Sequence, residues 1–267
     1  MNFLAHNRPV IACRVLHTQG DGKMSTVTAP GLNSQAMQRN ESRATSYRGT
    51  AILVGLLFLI ATAAFIAANA LTSGVLGQPD YLTVASAGNT ALAAGALLLL
   101  GQFGVVGIAV LLYPVLKRHG EALALGHVGF RVAELAASLF YLSVPLLAIE
   151  LGSGFRDGTI DGSASSTLGP LLQAQQSVAV LMIYLATGAA GICMTTLLYR
   201  SRLIPRPLAI LGLVTYPTLL AGTILNMFNV VDVTQGIGLA ALVPGAVFEF
   251  LLPVWLIVKG FTFPEHD

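Results

Sequence analysis

Six stretches of mostly apolar residues, each about as long as a helix must be to cross a hydrocarbon core and each closed by charges or turn formers, govern what this chain can become. They run approximately Thr50–Leu71, Thr90–Leu116, Ala122–Ile149, Ser177–Tyr199, Leu208–Met227 and Ile237–Val258. The second and third exceed a perpendicular crossing and predict tilted helices or helices that pass the interface. Only 10% of the 267 residues are charged and 55% are hydrophobic. A soluble domain carries about a quarter charged residues, so a water-facing surface could not be built from this composition. The expected fold class is all-α, a polytopic membrane helix bundle with six transmembrane helices.

Breakers separate the spans. Gln78, Pro79 and Asp80 stand in the first connection, and the fourth, Arg200 to Pro207, holds two prolines. Gly152 to Gln176, rich in glycine, serine and aspartate, reads as a solvated loop. Residues 1–47 are polar and lack both periodicity and an apolar run long enough for a secretory signal, so they are expected to form a disordered tail. Met24 and Met37 each precede a short polar lead and are read as alternative translation starts. Residues 48–262 then make the transmembrane domain, and 263–267 a cytoplasmic end.

Basic residues flanking a span are retained in the cytoplasm. Arg8, Arg14, Lys23, Arg39, Arg43 and Arg48 lie in the tail, Lys117 and Arg118 after the second span, Arg200, Arg202 and Arg206 after the fourth, and Lys259 after the sixth. The opposite side has Arg156 with Asp80, Asp157, Asp161 and Asp232. Both termini are therefore expected on the cytoplasmic side of a cell membrane. Tyr113, Tyr199 and Trp255, just before basic ends, read as interfacial anchors.

The net charge of +2 is spread over tail and loops instead of forming a patch, which argues against nucleic-acid binding. Cys13 and Cys193 lie in the tail and in an apolar span, so no disulfide is expected. No nucleotide-binding glycine loop or metalloprotease motif is present, and neither cofactor nor metal is expected. Gly101, Gly104 and Gly107 in the second span, and Gly188 and Gly191 in the fourth, are read as points of close helix approach.

Ionisable groups at a helix centre cost about 2.5–3.5 kcal/mol each on insertion scales and usually face the protein interior. Arg131 and Glu134 in the third span and Glu249 in the sixth are such groups. His127, Arg131, Glu134, Ser138 and Tyr141 follow at spacings of four, three, four and three, which stacks them on one helix face. At about 1.5 Å per residue, Glu134 lies roughly 18 Å from its helix start, and Glu249 and Tyr216 roughly 15 Å from Lys259 and Arg206, all near the midplane. Pro217 follows Tyr216, and Pro244 and Gly245 precede Glu249, so helices five and six are expected to be interrupted beside the polar cluster.

The segment EALALGHVGFRVAE, Glu121 to Glu134, follows YPVLKRHG directly; SYRGTAILVGLLFLIATAA stands at the start of the first span and FEFLLPVWLIVKGF at the end of the last. Together they resemble the bacterial domain of unknown function 4386 family over about residues 37–262, with Arg131 and Glu134 as the most specific element. The resemblance implies a bacterial inner-membrane location and brings no activity. The long polar start departs from the family's usual short one.

Two roles fit these residues. One is a carrier or binder of a small solute or proton in which His127, Arg131, Glu134, Ser138, Tyr141, Tyr216 and Glu249 form the polar cluster. The other is a scaffold or accessory subunit that contacts a membrane-protein partner, the charges serving as an ionic lock between helices three and six. An intramembrane enzyme finds less support: no catalytic residue is assigned, and Ser138 is the one serine in the seam with a candidate base adjacent.

Overall fold

A computed structural model describes residues 30–87, 90–231 and 242–262, and the side chains of all of these except 30–46, 164 and 165. By its contacts the chain divides into residues 1–41 and 42–267. Of the first unit, residues 30–41 are described and are helical. Eight α-helices follow in order: α1 Pro30–Leu76, α2 Tyr81–Ala87, α3 Thr90–Leu99, α4 Phe103–Leu116, α5 Glu121–Arg156, α6 Ser165–Ser201, α7 Arg206–Met227 and α8 Val243–Val258. No strand occurs among the described residues.

Among the described residues, five stretches are long and apolar enough to cross a membrane: Tyr47–Leu76, Thr90–His119, Glu121–Arg156, Ser166–Ser201 and Arg206–Met227. The shorter apolar α8 has 16 residues. The first part of the sixth expected span, from Ile237, lies outside the described residues, as do residues 1–29 with Met24 and Cys13, and the end 263–267. Burial is distributed inside out relative to a soluble protein. Leu97 is 68% exposed while Arg131 is 3% exposed. Large apolar side chains that face outward are stable only against lipid. The chain is a polytopic helical membrane bundle.

Several sequence expectations change in detail. The tail expected to be disordered through residue 47 is helical from Pro30. Extending a helix that already exists costs little per residue, and Gln, Met, Arg, Glu and Ala are good helix formers. The expected loop Gly152 to Gln176 shrinks to residues 157–164, because α5 runs to Arg156 and α6 starts at Ser165. Gly158, at φ +72°, makes the turn, while two other glycines of the segment serve contact. A Cβ on Gly152 would stand 2.8 Å from the Ala85 backbone, and one on Gly169 would stand 2.7 Å from the Tyr81 ring. Both therefore seat α2, the short helix that fills the first connection.

The second span is not continuous. A 3₁₀ turn at Leu100–Gln102 separates α3 from α4 and buries Gln102, whose Nε2 donates to Ala61 O at 3.1 Å. The expected interruptions in helices five and six fall differently. Helix α7 continues through Pro217. Pro244 sits in the first turn of α8, where its missing N–H leaves no carbonyl unsatisfied.

Two buried apolar clusters fill the bundle. One gathers Phe58, Leu112, Leu197, Tyr216 and Phe248; the other gathers Leu82, Leu92, Tyr141, Val144 and Leu172. Helix α1 packs on α3 and α4 through Gly101, Gly104 and Gly107, where added methyls would lie 3.1 Å from Ala64 Cβ, 3.7 Å from Ala61 Cβ and 3.5 Å from Leu57 Cδ1. Gly101 is thus the tight point and the other two leave room. Gly188 and Gly191 lie against Leu220 and the Tyr216 ring, bringing α6 onto α7.

Trp255 departs from the expected anchor role, since it packs on the first cluster with its Nε1–H buried and unpartnered. Tyr113 and Tyr47 do meet basic groups. Lys117 Nζ lies 5.4 Å from the Tyr113 ring centre and Arg118 Cζ 5.7 Å from that of Tyr47.

Candidate functional site

The face of α5 with spacings of four and three is buried throughout: His127, Arg131, Glu134, Ser138 and Tyr141 all point inward. They do not act as one group. Arg131 Nη1 donates to Glu134 Oε2 at 2.7 Å, a buried ion pair three residues apart on a single helix. No ion pair joins Arg131 to Glu249, so the expected ionic lock between the third and sixth spans does not form. A rotamer reaching along its own helix gives one guanidinium nitrogen its ion-pair partner without crossing the bundle.

His127 turns toward α6, with Nδ1 at 3.0 Å from Ala190 O. The carbonyl makes that nitrogen the donor, and Nε2 is buried without a partner. Ser138 Oγ donates to Glu134 O at 2.9 Å, so the seam serine is engaged with its own helix backbone.

Tyr141 belongs to a separate polar knot one turn further along. Its hydroxyl donates to Asn69 Oδ1 at 2.9 Å and accepts from Gln176 Nε2 at 2.8 Å. Gln176 Nε2 also lies 3.0 Å from Asn69 Oδ1 and 2.8 Å from Ser73 Oγ. This knot ties α1, α5 and α6 together by hydrogen bonds, the role that ionic contacts were expected to play. Gln176→Leu leaves Asn69 and Tyr141 short of a donor. It is expected to cost about 1–3 kcal/mol, read as a lower melting temperature in detergent, and an unchanged melt would remove the knot from the list of bundle ties.

A cavity of about 430 Å³ lies where the two apolar clusters meet, bounded by α1, the 3₁₀ turn, α4, α5, α6, α7 and α8. Four of the residues expected in the polar cluster line it: Arg131, Glu134, Tyr216 and Glu249. His127, Ser138 and Tyr141 do not. Asn69, Gln102, Thr62 and Thr187 line it as well, and sequence reasoning missed them. The available signal was an uncharged amide within an apolar run, which carries a smaller insertion penalty than a charge and so stands out less.

Tyr216 is fully buried and packs edge-on against Phe248, with ring centres 5.6 Å apart at 82°. Gly191 and Gly212 admit these rings. An added Cβ on Gly191 would overlap the Tyr216 ring, and one on Gly212 would stand 2.6 Å from Phe248 Cε2. The Tyr216 hydroxyl lies beside the Arg131 guanidinium without hydrogen-bond geometry. Arg131 Nε and Nη2 and Thr215 Oγ1 are likewise buried and unpartnered. Arg131 Cζ also sits 5.9 Å from the centre of the Phe58 ring.

Glu249 is half-buried, and its Oε2 accepts only a long hydrogen bond from Thr62 Oγ1 at 3.4 Å. Two carboxyl groups therefore face one guanidinium, and among the described residues Glu249 has no ion-pair partner. Among the described residues no three of His, Cys, Asp or Glu cluster as a metal site would require.

A family model described as a domain of unknown function (DUF4386) matches residues 53–260. The chain belongs to this family. No curated protein and no solved structure matches it. The DUF4386 region takes in every residue that lines the cavity, from Phe58 to Phe250, together with all of α3 to α8.

Proposed function

We propose that this DUF4386 protein binds, and carries across the membrane, a small solute, with Arg131 and Glu134 as a fixed ion pair at the site and Glu249 as the group that exchanges charge. The observation that supports this reading is the cavity itself, which brings both ends of the polar cluster to one space at membrane depth. Its volume falls in the range of about 300–1,000 Å³ common for small-molecule sites. Buried donors without partners, on Arg131, Thr215 and Tyr216, are costly unless something completes them.

A proton is the second candidate cargo. The groups facing Glu249 are Thr62 on α1, Arg131 and Glu134 on α5, Tyr184 on α6 and Tyr216 on α7. A carboxylate among them gains or loses a proton with a full change in the charge of the cavity, which couples pH to solute occupancy. Coupled movement of this kind requires Glu249 and not the already paired Glu134.

The orientation that fits the Lys and Arg distribution places both termini in the cytoplasm, with α8 closing a sixth crossing of the cell membrane. The scaffold reading is weaker because Arg131–Glu134 lies within α5 and fastens no second helix.

Thermal melting of the purified chain, scanned against pH and a small-solute library, tests the proposal. Glu249→Gln is expected to melt like the wild type at neutral pH but to lose any pH-dependent or solute-dependent shift. A wild-type protein whose melting ignores every solute and pH, with Glu249→Gln as damaging as Glu134→Gln, would return the cluster to a purely structural role.

A further inference from the structure

The cavity has walls that differ in character and one side that is open. Helices α1 and α8 run antiparallel and are clasped at one end, where Arg48 Nη2 donates to Ile257 O at 2.8 Å and to Val258 O at 3.0 Å. There Gly55 lets the backbones close up: a Cβ on it would be 2.8 Å from Pro253 O. Further along, Thr62 reaches Glu249 at 3.4 Å. Ile66 and Ala70 on α1, and Ala246 and Phe250 on α8, line the cavity yet are exposed on the outside of the bundle, Ile66 at 56% and Phe250 at 50%. A residue that is both lining and lipid-exposed marks the rim of a lateral opening. This opening lies within the apolar zone, in the half remote from Arg48.

A molecule entering here from the bilayer must have an apolar body, because it comes from hydrocarbon and passes between an isoleucine and a phenylalanine. It then meets aromatic faces, Phe65, Phe58, Tyr184 and Tyr216, around the Glu249 carboxylate. Two arguments bear on its charge. The unpartnered Nε and Nη2 of Arg131 would suit an oxyanion, but both atoms are shut off from the surface and their charge is already answered by Glu134. Glu249 is half-buried, bounds the space and has no ion-pair partner, so an arriving anion would add to an unmatched negative charge whereas a cation would cancel it. Aromatic walls strengthen the same preference, since ring faces attract cations.

We propose that the site takes a lipophilic organic cation, drawn sideways from the bilayer through the gap between α1 and α8 and held by Glu249 within the aromatic walls. The inference rests on the binding reading above and specifies its ligand class and route.

Tetraphenylphosphonium, a hydrophobic cation, is the direct probe. Tetraphenylborate, its isosteric anion, and tetramethylammonium, a small water-borne cation, complete the set. Binding is measured by equilibrium titration and by rates with the full chain in phosphatidylcholine nanodiscs. Tetraphenylphosphonium is expected to bind saturably and the other two far more weakly. Glu249→Gln should weaken it by on the order of ten-fold, while Glu249→Asp, which retains the charge, should restore most of the affinity. Ala246→Phe, which fills the rim, should slow association by on the order of ten-fold, because the route and not the floor of the site is obstructed.

Equal or tighter binding of the borate would overturn the cation and leave the cavity a binding site. Tetramethylammonium binding as well as tetraphenylphosphonium, with Ala246→Phe without effect on rates, would overturn the lateral route. Absence of saturable binding by any of the three, in protein that melts cooperatively, together with no response to the solute library, would overturn both this inference and the binding reading. A response to some other solute alone would overturn this one only. The comparison of phosphonium with borate on the wild type needs no variant, so a misfolded substitution does not shelter the proposal.

Discussion

Arg131→Met is expected to destabilise the bundle by about 3–5 kcal/mol, the largest loss foreseen for any single side chain here. The reason is what remains. Glu134, 4% exposed at membrane depth, loses the guanidinium that sits 2.7 Å from its carboxylate, and Glu249, which lines the same cavity, can only carry the same sign. The double variant Arg131→Met with Glu134→Leu removes both charges and is expected to recover most of the loss, since apolar replacement of a complete buried pair is often nearly neutral. Unfolding in mixed micelles, run as a double-mutant cycle, gives the coupling directly. Additive losses would show that the pair is not energetically one unit. Recovery of stability without recovery of solute binding would separate what the pair does for the fold from what it does for the site.

Gly191→Ala is the second large effect. The added methyl would overlap the Tyr216 ring, which is fully buried and held on its far side by Phe248. Phe248 is itself pressed against Gly212, so it cannot easily give way to the ring. A loss of about 3 kcal/mol, the upper end for overpacking, is expected in the same unfolding assay. On a Tyr216→Ala background the methyl meets no ring, and Gly191→Ala should become close to harmless. If it costs as much there as in the wild type, the collision is with the backbone of α7 and not with Tyr216.

The burial of the α5 face could be read from spacing alone, because ionisable groups at intervals of three and four in an apolar run leave only one orientation that keeps them out of lipid. The same depth argument put Tyr216 and Glu249 level with them, and the structure brings both to the cavity that Arg131 and Glu134 line. What could not be read is which carboxylate Arg131 would choose. Glu134 and Glu249 are both within reach of so long a side chain, and the choice depends on the separation of α5 and α8, which no spacing encodes.

The glycine signal failed for a related reason. Gly152 and Gly169 carry the composition of a loop, but in a membrane bundle the same residue permits helix contact, here with Ala85 and Tyr81 of α2. Asn69, Gln102 and Gln176 passed unnoticed because an amide in an apolar run is not costly enough to demand an explanation by itself. The lateral gap leaves no mark in the sequence at all. It is inferred from residues of α1 and α8 that line the cavity while staying exposed, which depends on how the two helices face each other.

The Arg48 clasp joins residues more than two hundred positions apart in the chain. During synthesis α1 enters the bilayer long before α8 exists, so its Arg48 edge and the glycine at position 55 spend the whole of translation without their partner. The ring of helices can shut only when the final apolar segment arrives. The last joint to form in biogenesis is thus the hinge side of the gap, and any quality-control factor that inspects unfinished bundles will find its grip on α1.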